Sequence, residues 1–279
     1  MEDHLRINYV ELEESLYELK QLIERNIGIT STLLGFICES ELIDKEKFLE
    51  YCSNLDYNTV IKEVERNEKA ARSEQDNLHA GGSAATICLC NMAGIDKTKK
   101  VLDAGTGHGG AARVIAEQYG CNVVGMEMDY VRLIHAIFRT KQLKLDHLVS
   151  YCLGDAYDMP FIDHSYDAVI RQHAVYGQEE DLFLKECYRV LKPGGVIAFQ
   201  GILKGTSLES RKNQMEDYSL KDYCGLLTSI GFTNIVCESE KSTYELQESF
   251  RKTNPLMCRL AEKKMILGVK LVASKSFNI

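Results

Sequence analysis

From Lys99 onward, short apolar runs alternate with stretches whose apolar positions recur every three or four residues. The runs predict strands, and the stretches between most of them predict helices. Such alternation is typical of a parallel sheet with right-handed crossovers, so we expect a doubly wound α/β domain with seven strands. The predicted strands are Lys100–Asp103, Asn122–Glu127, Leu148–Leu153, Tyr166–Arg171, Gly195–Gln200, Thr233–Glu238 and Val269–Lys275. The predicted helices are Gly110–Tyr119, Tyr130–Lys141, Asp181–Leu191 and Ser219–Ile230.

Two inserts and an N-terminal region complete the predicted organisation. The inserts are residues 202–217 and 241–264, and the length of the second leaves room for an antiparallel final strand. Residues 1–80 predict a helical cap or lid before a ligand-binding domain at 81–279. The apolar stripe of the cap either packs on that domain or forms the seam of a homodimer. The stripe consists of Leu5, Tyr9, Leu12, Leu16, Leu19 and Ile23.

Charge and hydropathy exclude several classes of partner. The net charge of −8 argues against nucleic acid, since a phosphate backbone requires clustered Lys and Arg. The longest apolar runs fall far short of the roughly 20 residues that span a bilayer, so we expect no membrane association. The first residues are acidic, unlike a signal peptide, which predicts a cytoplasmic protein. The ten cysteines form no CxxC pair, and we expect free thiols and no bound metal.

A glycine-rich segment follows the first predicted strand. Asp103 ends this strand, and Gly105, Gly107, Gly109 and Gly110 lead into an amphipathic helix. Glycines allow a tight turn and a close approach by a ligand, while the helix N-terminus offers free N–H groups to an anion. A loop that only turns the chain is the alternative, because this motif alone is weak evidence.

Acidic residues at the next two strand ends favour a nucleoside ligand. Glu127 ends the second strand, at a spacing where a carboxylate accepts hydrogen bonds from both ribose hydroxyls, and Asp129 is the competing residue. Asp155 follows the third strand, where it could accept a hydrogen bond from the adenine amino group. Ligands of open α/β sheets bind at such strand ends, so we expect these residues to form one site.

These segments resemble the class I S-adenosylmethionine-dependent methyltransferases, which have a Rossmann-like fold. The resemblance covers residues 78–205, the segment GFTNIVCESE and the final strand, and it rests on DAGTGHGG, VVGME, GDAYDMPF and YRVLKPGGVIAF. The segments HAGGSAAT and RQHAVYG are similar to the branch that methylates small metabolites, including glycine, sarcosine and terpenoid diphosphate methyltransferases. The resemblance implies S-adenosylmethionine as cofactor, S-adenosylhomocysteine as product and a small-molecule acceptor.

The resemblance also implies a role for each strand end. Gly105 and Gly107 would pass under the methionine part of the cofactor, Glu127 would hold the ribose, and Asp155 with Ala156 would border the adenine. Asp103 before the glycines suits the cofactor's ammonium group, which a dinucleotide lacks. The full set of predicted cofactor contacts is Asp103, Gly105, Thr106, Gly107, His108, Glu127, Met128, Asp155, Ala156, Arg171 and Gln172.

The acceptor is expected beyond the fourth strand, at His173 and Tyr176. A histidine with an ordinary pKa near 6.5 suits a general base; the alternatives are that it only packs or that it donates a hydrogen bond to the cofactor. Whether the methylated atom is N, O or C stays open. The competing functions are a nucleotide-dependent oxidoreductase, a non-catalytic S-adenosylmethionine-binding protein, and an arsenite methyltransferase, which requires several cysteines to converge near the cofactor sulfur.

Overall fold

The computed structural model describes residues 81–174, 179–204, 218–239 and 266–277. The predicted cap (1–80), Tyr176, residues 205–217 of the first predicted insert and the whole second insert (241–264) lie outside these ranges. In the described part, the helices are α1 (Gly82–Met92), α2 (Gly110–Tyr119), α3 (Tyr130–Gln142), α4 (Glu180–Val190) and α5 (Leu220–Ile230). The strands are β1 (Lys100–Ala104), β2 (Asn122–Glu127), β3 (Val149–Leu153), β4 (Tyr166–Gln172), β5 (Leu191–Lys204), β6 (Phe232–Ser239) and β7 (Ile266–Lys275).

The strands form one sheet of seven in the order β3-β2-β1-β4-β5-β7-β6. β1 to β5 pair in parallel, whereas β7 pairs antiparallel with both β5 and β6. The predicted doubly wound sheet and its antiparallel last strand are therefore confirmed. The strand order reverses between β1 and β4, and open α/β sheets bind ligands at such a switch point.

The two strands β5 and β7, which pair antiparallel, are longer than predicted. β5 continues past Gln200 to Lys204, because these residues pair with the first residues of β7, from Lys204 opposite Ile266 to Gly201 opposite Val269. The predicted insert boundary at residue 202 was therefore wrong. Ile202 and Leu203 are buried core residues of the sheet and do not belong to a loop.

Helices cover both faces of the sheet. On one face, α1 and α2 bury Leu89, Cys90 and Ile115 against the central strands. On the other face, α4 and α5 bury Phe183 and Leu227. Because side chains alternate along a strand, successive residues at the end of β4 face opposite layers. This alternation determines the environments of the residues that end β4.

Candidate active site

The glycine loop connects β1 to α2 with three left-handed glycines. Gly105, Gly107 and Gly109 have φ angles of 75°, 56° and 76°, which L-residues with a side chain rarely adopt. The backbone N–H groups of Gly105 and Thr106 both donate to the Met126 carbonyl of β2 at 2.9 Å. The loop is thereby held against β2, and the N-terminus of α2 opens at the carboxyl ends of the strands.

Asp103 lies under this loop and is only 2% exposed. Its Oδ2 accepts a hydrogen bond from the Thr106 hydroxyl at 2.6 Å. Burial raises the pKa of Asp103 from 3.8 to about 6; the Glu127 carboxylate adds to the rise, and the Thr106 hydrogen bond opposes it. A buried carboxylate with a raised pKa is stabilised by an incoming cation, which suits an ammonium group here.

Glu127 at the end of β2 accepts several backbone hydrogen bonds. Gly107 N donates to Oε2 at 2.9 Å, and the amides of Met128 and Asp129 donate to Oε1 at 3.1 Å. Asp129 instead accepts from the amide of Arg132 at 3.1 Å, in the first turn of α3. Glu127 therefore faces the glycine loop, whereas the competing carboxylate caps a helix.

The rim beyond β2 and β3 is more exposed. Met128 is 70% exposed, directly after Glu127. Gly154 N donates to the Glu127 carbonyl at 3.1 Å, which joins the two strand ends. Asp155 is exposed, its Oδ1 accepts from Tyr157 N at 2.9 Å, and Ala156 is partly buried. Together these residues offer an apolar surface beside hydrogen-bonding groups, as an adenine ring requires.

At the end of β4, a buried chain of hydrogen bonds joins three elements. The Thr86 hydroxyl of α1 donates to Gln172 Oε1 at 2.9 Å, and Gln172 Nε2 donates to Gln200 Oε1 of β5 at 2.8 Å. His173 follows with a φ angle of 48°, and its N–H donates to the Gln200 carbonyl at 3.0 Å. The ends of β4 and β5 are therefore linked to α1, and the half-buried His173 lies next to them.

The side chain of Arg171, another predicted cofactor contact, lies in the layer of α4 and α5. Arg171 is 1% exposed and pairs with Glu180 at 2.9 Å. Its Nη2 donates to the Tyr223 hydroxyl at 3.0 Å, and that hydroxyl donates to Glu180. The guanidinium also lies over the rings of Phe183 and Phe199, with 4.6 and 5.2 Å to their centroids. These contacts hold the Arg171 side chain in the protein core.

His108, another predicted cofactor contact, is buried next to a helix. Its ring is 2% exposed and lies 4.9 Å from the ring of His135 on α3, centroid to centroid. The side chain thus packs against α3, and the His108 carbonyl accepts a hydrogen bond from Arg113 at 2.9 Å.

Sequence reasoning missed the partners of these residues. The contacts of Arg171 with Glu180 and Tyr223, and of Gln172 with Thr86 and Gln200, link positions that no sequence motif connects.

The described cysteines do not converge. Cys90 and Cys121 lie in the core on the α1 and α2 side, whereas Cys187 lies on the opposite side of the sheet. All seven cysteines in the described ranges are free thiols. In the described ranges, no group of three or more His, Cys, Asp and Glu side chains is arranged to hold a metal. The arrangement gives no support to arsenite chemistry.

Within the ranges given above, no helix is both long enough and apolar enough to cross a membrane.

Known proteins match the part of the chain that carries this site. Residues 102–199 match a family model described as "Methyltransferase domain". Sterol 24-C-methyltransferase erg6 of Aspergillus fumigatus is 33% identical over 156 residues, which cover 56% of this chain and 40% of that protein. The glycine/sarcosine/dimethylglycine N-methyltransferase of Actinopolyspora halophila is 26% identical over 162 residues, covering 58% of this chain and 28% of that protein.

A solved structure has the same fold. Geranyl diphosphate C-methyltransferase from Streptomyces coelicolor superposes with a TM-score of 0.59 at 17% identity, over 69% of this chain and 80% of that one. The seven-stranded sheet thus matches the Rossmann-like methyltransferase fold that the resemblance implied. Residues 102–199 of this chain thus match the methyltransferase domain, and the aligned segments span less than half of either curated relative.

Proposed function

We propose that this protein transfers a methyl group from S-adenosylmethionine to a small-molecule acceptor. The observation that carries the proposal is the position of Glu127. Its buried carboxylate ends β2 and receives the amide of Gly107 from the glycine loop at 2.9 Å. A nucleoside hydroxyl and the loop amides can therefore meet the same carboxylate.

The residues present fit the cofactor at both of its ends. At the methionine end, the N-terminus of α2 suits the carboxylate, and Asp103 beneath the loop suits the ammonium group. At the adenosine end, Met128 and Ala156 supply apolar surface, and Asp155 supplies an acceptor for the adenine amino group. When bound, the cofactor supplies an activated methyl group on a sulfonium.

The protein's part in the reaction is then alignment of the acceptor and exclusion of water. In this proposal the strand end after Gln172 faces the acceptor, with His173 accepting a proton or donating a hydrogen bond there. The Thr86–Gln172–Gln200 chain holds the ends of β4 and β5 together beneath it. Tyr176 remains part of the same expectation.

Partners and location belong to the proposal as well. The names of the relatives, which act on sterols, glycine derivatives and geranyl diphosphate, support a small metabolite as acceptor. Nucleic acid is not expected as a partner, for the reason of charge given above. A homodimer formed through residues 1–80 is the alternative to a cap, and a cytoplasmic location is consistent with the free buried thiols.

Calorimetric titration with S-adenosylmethionine, S-adenosylhomocysteine and NAD in parallel tests this function. We expect saturable micromolar binding of the first two ligands and none of NAD. Glu127→Gln should weaken S-adenosylhomocysteine binding by about 10- to 100-fold, because it removes a charged acceptor. Asp129→Asn is the matched control, since asparagine also caps helices, and its affinity should stay within about twofold of wild type.

Each competing function predicts a different result. Binding of NAD alone would reject the methyltransferase proposal in favour of an oxidoreductase. Binding of S-adenosylmethionine without formation of S-adenosylhomocysteine across a panel of amine, hydroxyl and carbon acceptors would favour the non-catalytic binding protein.

A further inference from the structure

A polar cluster packs against the glycine loop. It consists of Arg113 on α2, Thr140 on α3 and Tyr151 on β3. Arg113 and Thr140 are 4% and 1% exposed, and Tyr151 is partly buried. None of the three has a role in the chemistry proposed above, yet all three belong to elements that surround the loop.

The cluster forms a continuous path from β3 to the loop backbone. The Tyr151 hydroxyl lies 2.8 Å from Thr140 Oγ1. Arg113 Nη1 lies 3.3 Å from the same Oγ1 and donates to the His108 carbonyl at 2.9 Å. Burial raises the pKa of Tyr151, so its hydroxyl stays protonated and able to donate.

This path fixes one particular peptide group of the loop. The peptide between His108 and Gly109 has its carbonyl held by Arg113, and its N–H donates to the Thr106 carbonyl at 2.9 Å. Rotation of this peptide would break both hydrogen bonds. The orientation of the loop amides that lead into α2 therefore depends on a guanidinium positioned from behind.

The Tyr151 ring also requires two glycines. A Cβ added at Gly109 would overlap the Tyr151 hydroxyl and come within 2.8 Å of Arg113 Nη1. A Cβ at Gly125 of β2 would lie 2.7 Å from two ring carbons of Tyr151. The ring thus touches both the loop and the strand that ends in Glu127. It is wedged between the two elements proposed to hold the ends of the cofactor.

We propose that Tyr151 is a positioning residue for the cofactor, which acts through Thr140 and Arg113 to hold the glycine loop in its ligand-binding conformation. This inference rests on the proposed function, because it concerns the same site. Tyr151 touches no reacting atom, so its removal should affect cofactor binding through the loop.

The test compares Tyr151→Phe, Thr140→Val and the double variant with wild type. Each single change should weaken S-adenosylhomocysteine binding about five- to tenfold, the effect of one lost hydrogen bond that is not fully replaced. The double variant should be no weaker than about the worse single one, because both changes interrupt one path. Ligand-free hydrogen exchange should be faster at the amides of residues 105–109 in each variant.

Tyr119→Phe is the matched control. Its hydroxyl on α2 lies 2.7 Å from Asn91 Oδ1 and 3.0 Å from the Ile87 carbonyl, so it can donate to either oxygen, and neither belongs to the loop. This variant should lose as much thermal stability as Tyr151→Phe does. Its cofactor affinity should stay within about twofold of wild type, and hydrogen exchange at the loop amides should be unchanged.

The outcomes separate this inference from the proposed function. If Tyr151→Phe and Thr140→Val bind as wild type does, or if Tyr119→Phe loses as much affinity, the positioning role is wrong. If wild type itself binds no S-adenosylhomocysteine, the proposed function fails. Unchanged hydrogen exchange at the loop amides of the variants would then independently reject the positioning role of Tyr151.

Discussion

Replacing Asp103 with asparagine should make the ligand-free protein more stable while weakening its cofactor binding. The carboxylate is buried under the glycine loop, with a pKa raised from 3.8 to about 6. A shift of one pKa unit corresponds to about 1.4 kcal/mol, so the ionised carboxylate destabilises the folded state by roughly 3 kcal/mol above pH 6. Asparagine keeps an oxygen that can accept the Thr106 hydroxyl but cannot ionise.

The sign of the pH dependence follows from the raised pKa. Between pH 4 and 6 the folded protein binds more protons at Asp103 than the unfolded chain does, so stability falls as the pH rises through this window. About half of the penalty, roughly 1.5 kcal/mol, develops between pH 5 and 8. We therefore expect the stability difference between Asp103→Asn and wild type to grow by this amount over that range.

Urea unfolding of both proteins at several pH values between 5 and 8 measures the difference, and calorimetry with S-adenosylhomocysteine measures binding. Wild-type affinity should increase as the pH rises through 6, because the ligand's ammonium favours the ionised carboxylate. A stability difference that does not change with pH would show that Asp103 does not titrate in this window. If the asparagine variant binds S-adenosylhomocysteine as tightly as wild type does, Asp103 does not interact with the ligand's ammonium group.

Three further predictions address other parts of the site. His173→Ala should leave cofactor affinity within about twofold but lower turnover on the true acceptor by about 100-fold, and full activity would exclude a base at this position. Arg171→Met should lower the free energy of unfolding by about 3–5 kcal/mol in urea titrations, because it leaves Glu180 buried without its charge partner; a loss below about 1 kcal/mol would contradict the buried network. Gly109→Ala should abolish S-adenosylhomocysteine binding in calorimetry, since φ is 76° and the new Cβ meets Tyr151, whereas Gly225→Ala on α5, with open space around it, should bind normally.

The elements that ring the site were predictable because they depend on local patterns. β1, β2 and the helix α2 follow from apolar runs and the glycine spacing, and the end of β2 at Glu127 was predicted to the residue. The full lengths of β5 and β7 were not, because Gly201–Lys204 is a strand only through pairing with Ile266–Val269. Such long-range pairing leaves no local signal.

The direction of the side chains at the end of β4 was the main feature that the sequence did not predict. Arg171 and Gln172 are neighbours, but the pleat sends them to opposite faces, where one meets Glu180 and the other Thr86. Tyr223 on α5 is a fully buried core residue. Its hydroxyl gains a role only because α5 packs over the same layer as α4.

The antiparallel β7 has a consequence for how the protein is made. All of the proposed cofactor contacts precede residue 173, so a ribosome completes them early in synthesis. β5 nevertheless keeps one unpaired edge, and β6 has no strand partner in the sheet, until Ile266–Lys275 emerges between them. The nascent chain must therefore carry an open sheet edge past the synthesis of about 60 further residues, a period in which chaperone binding or aggregation competes with completion of the fold.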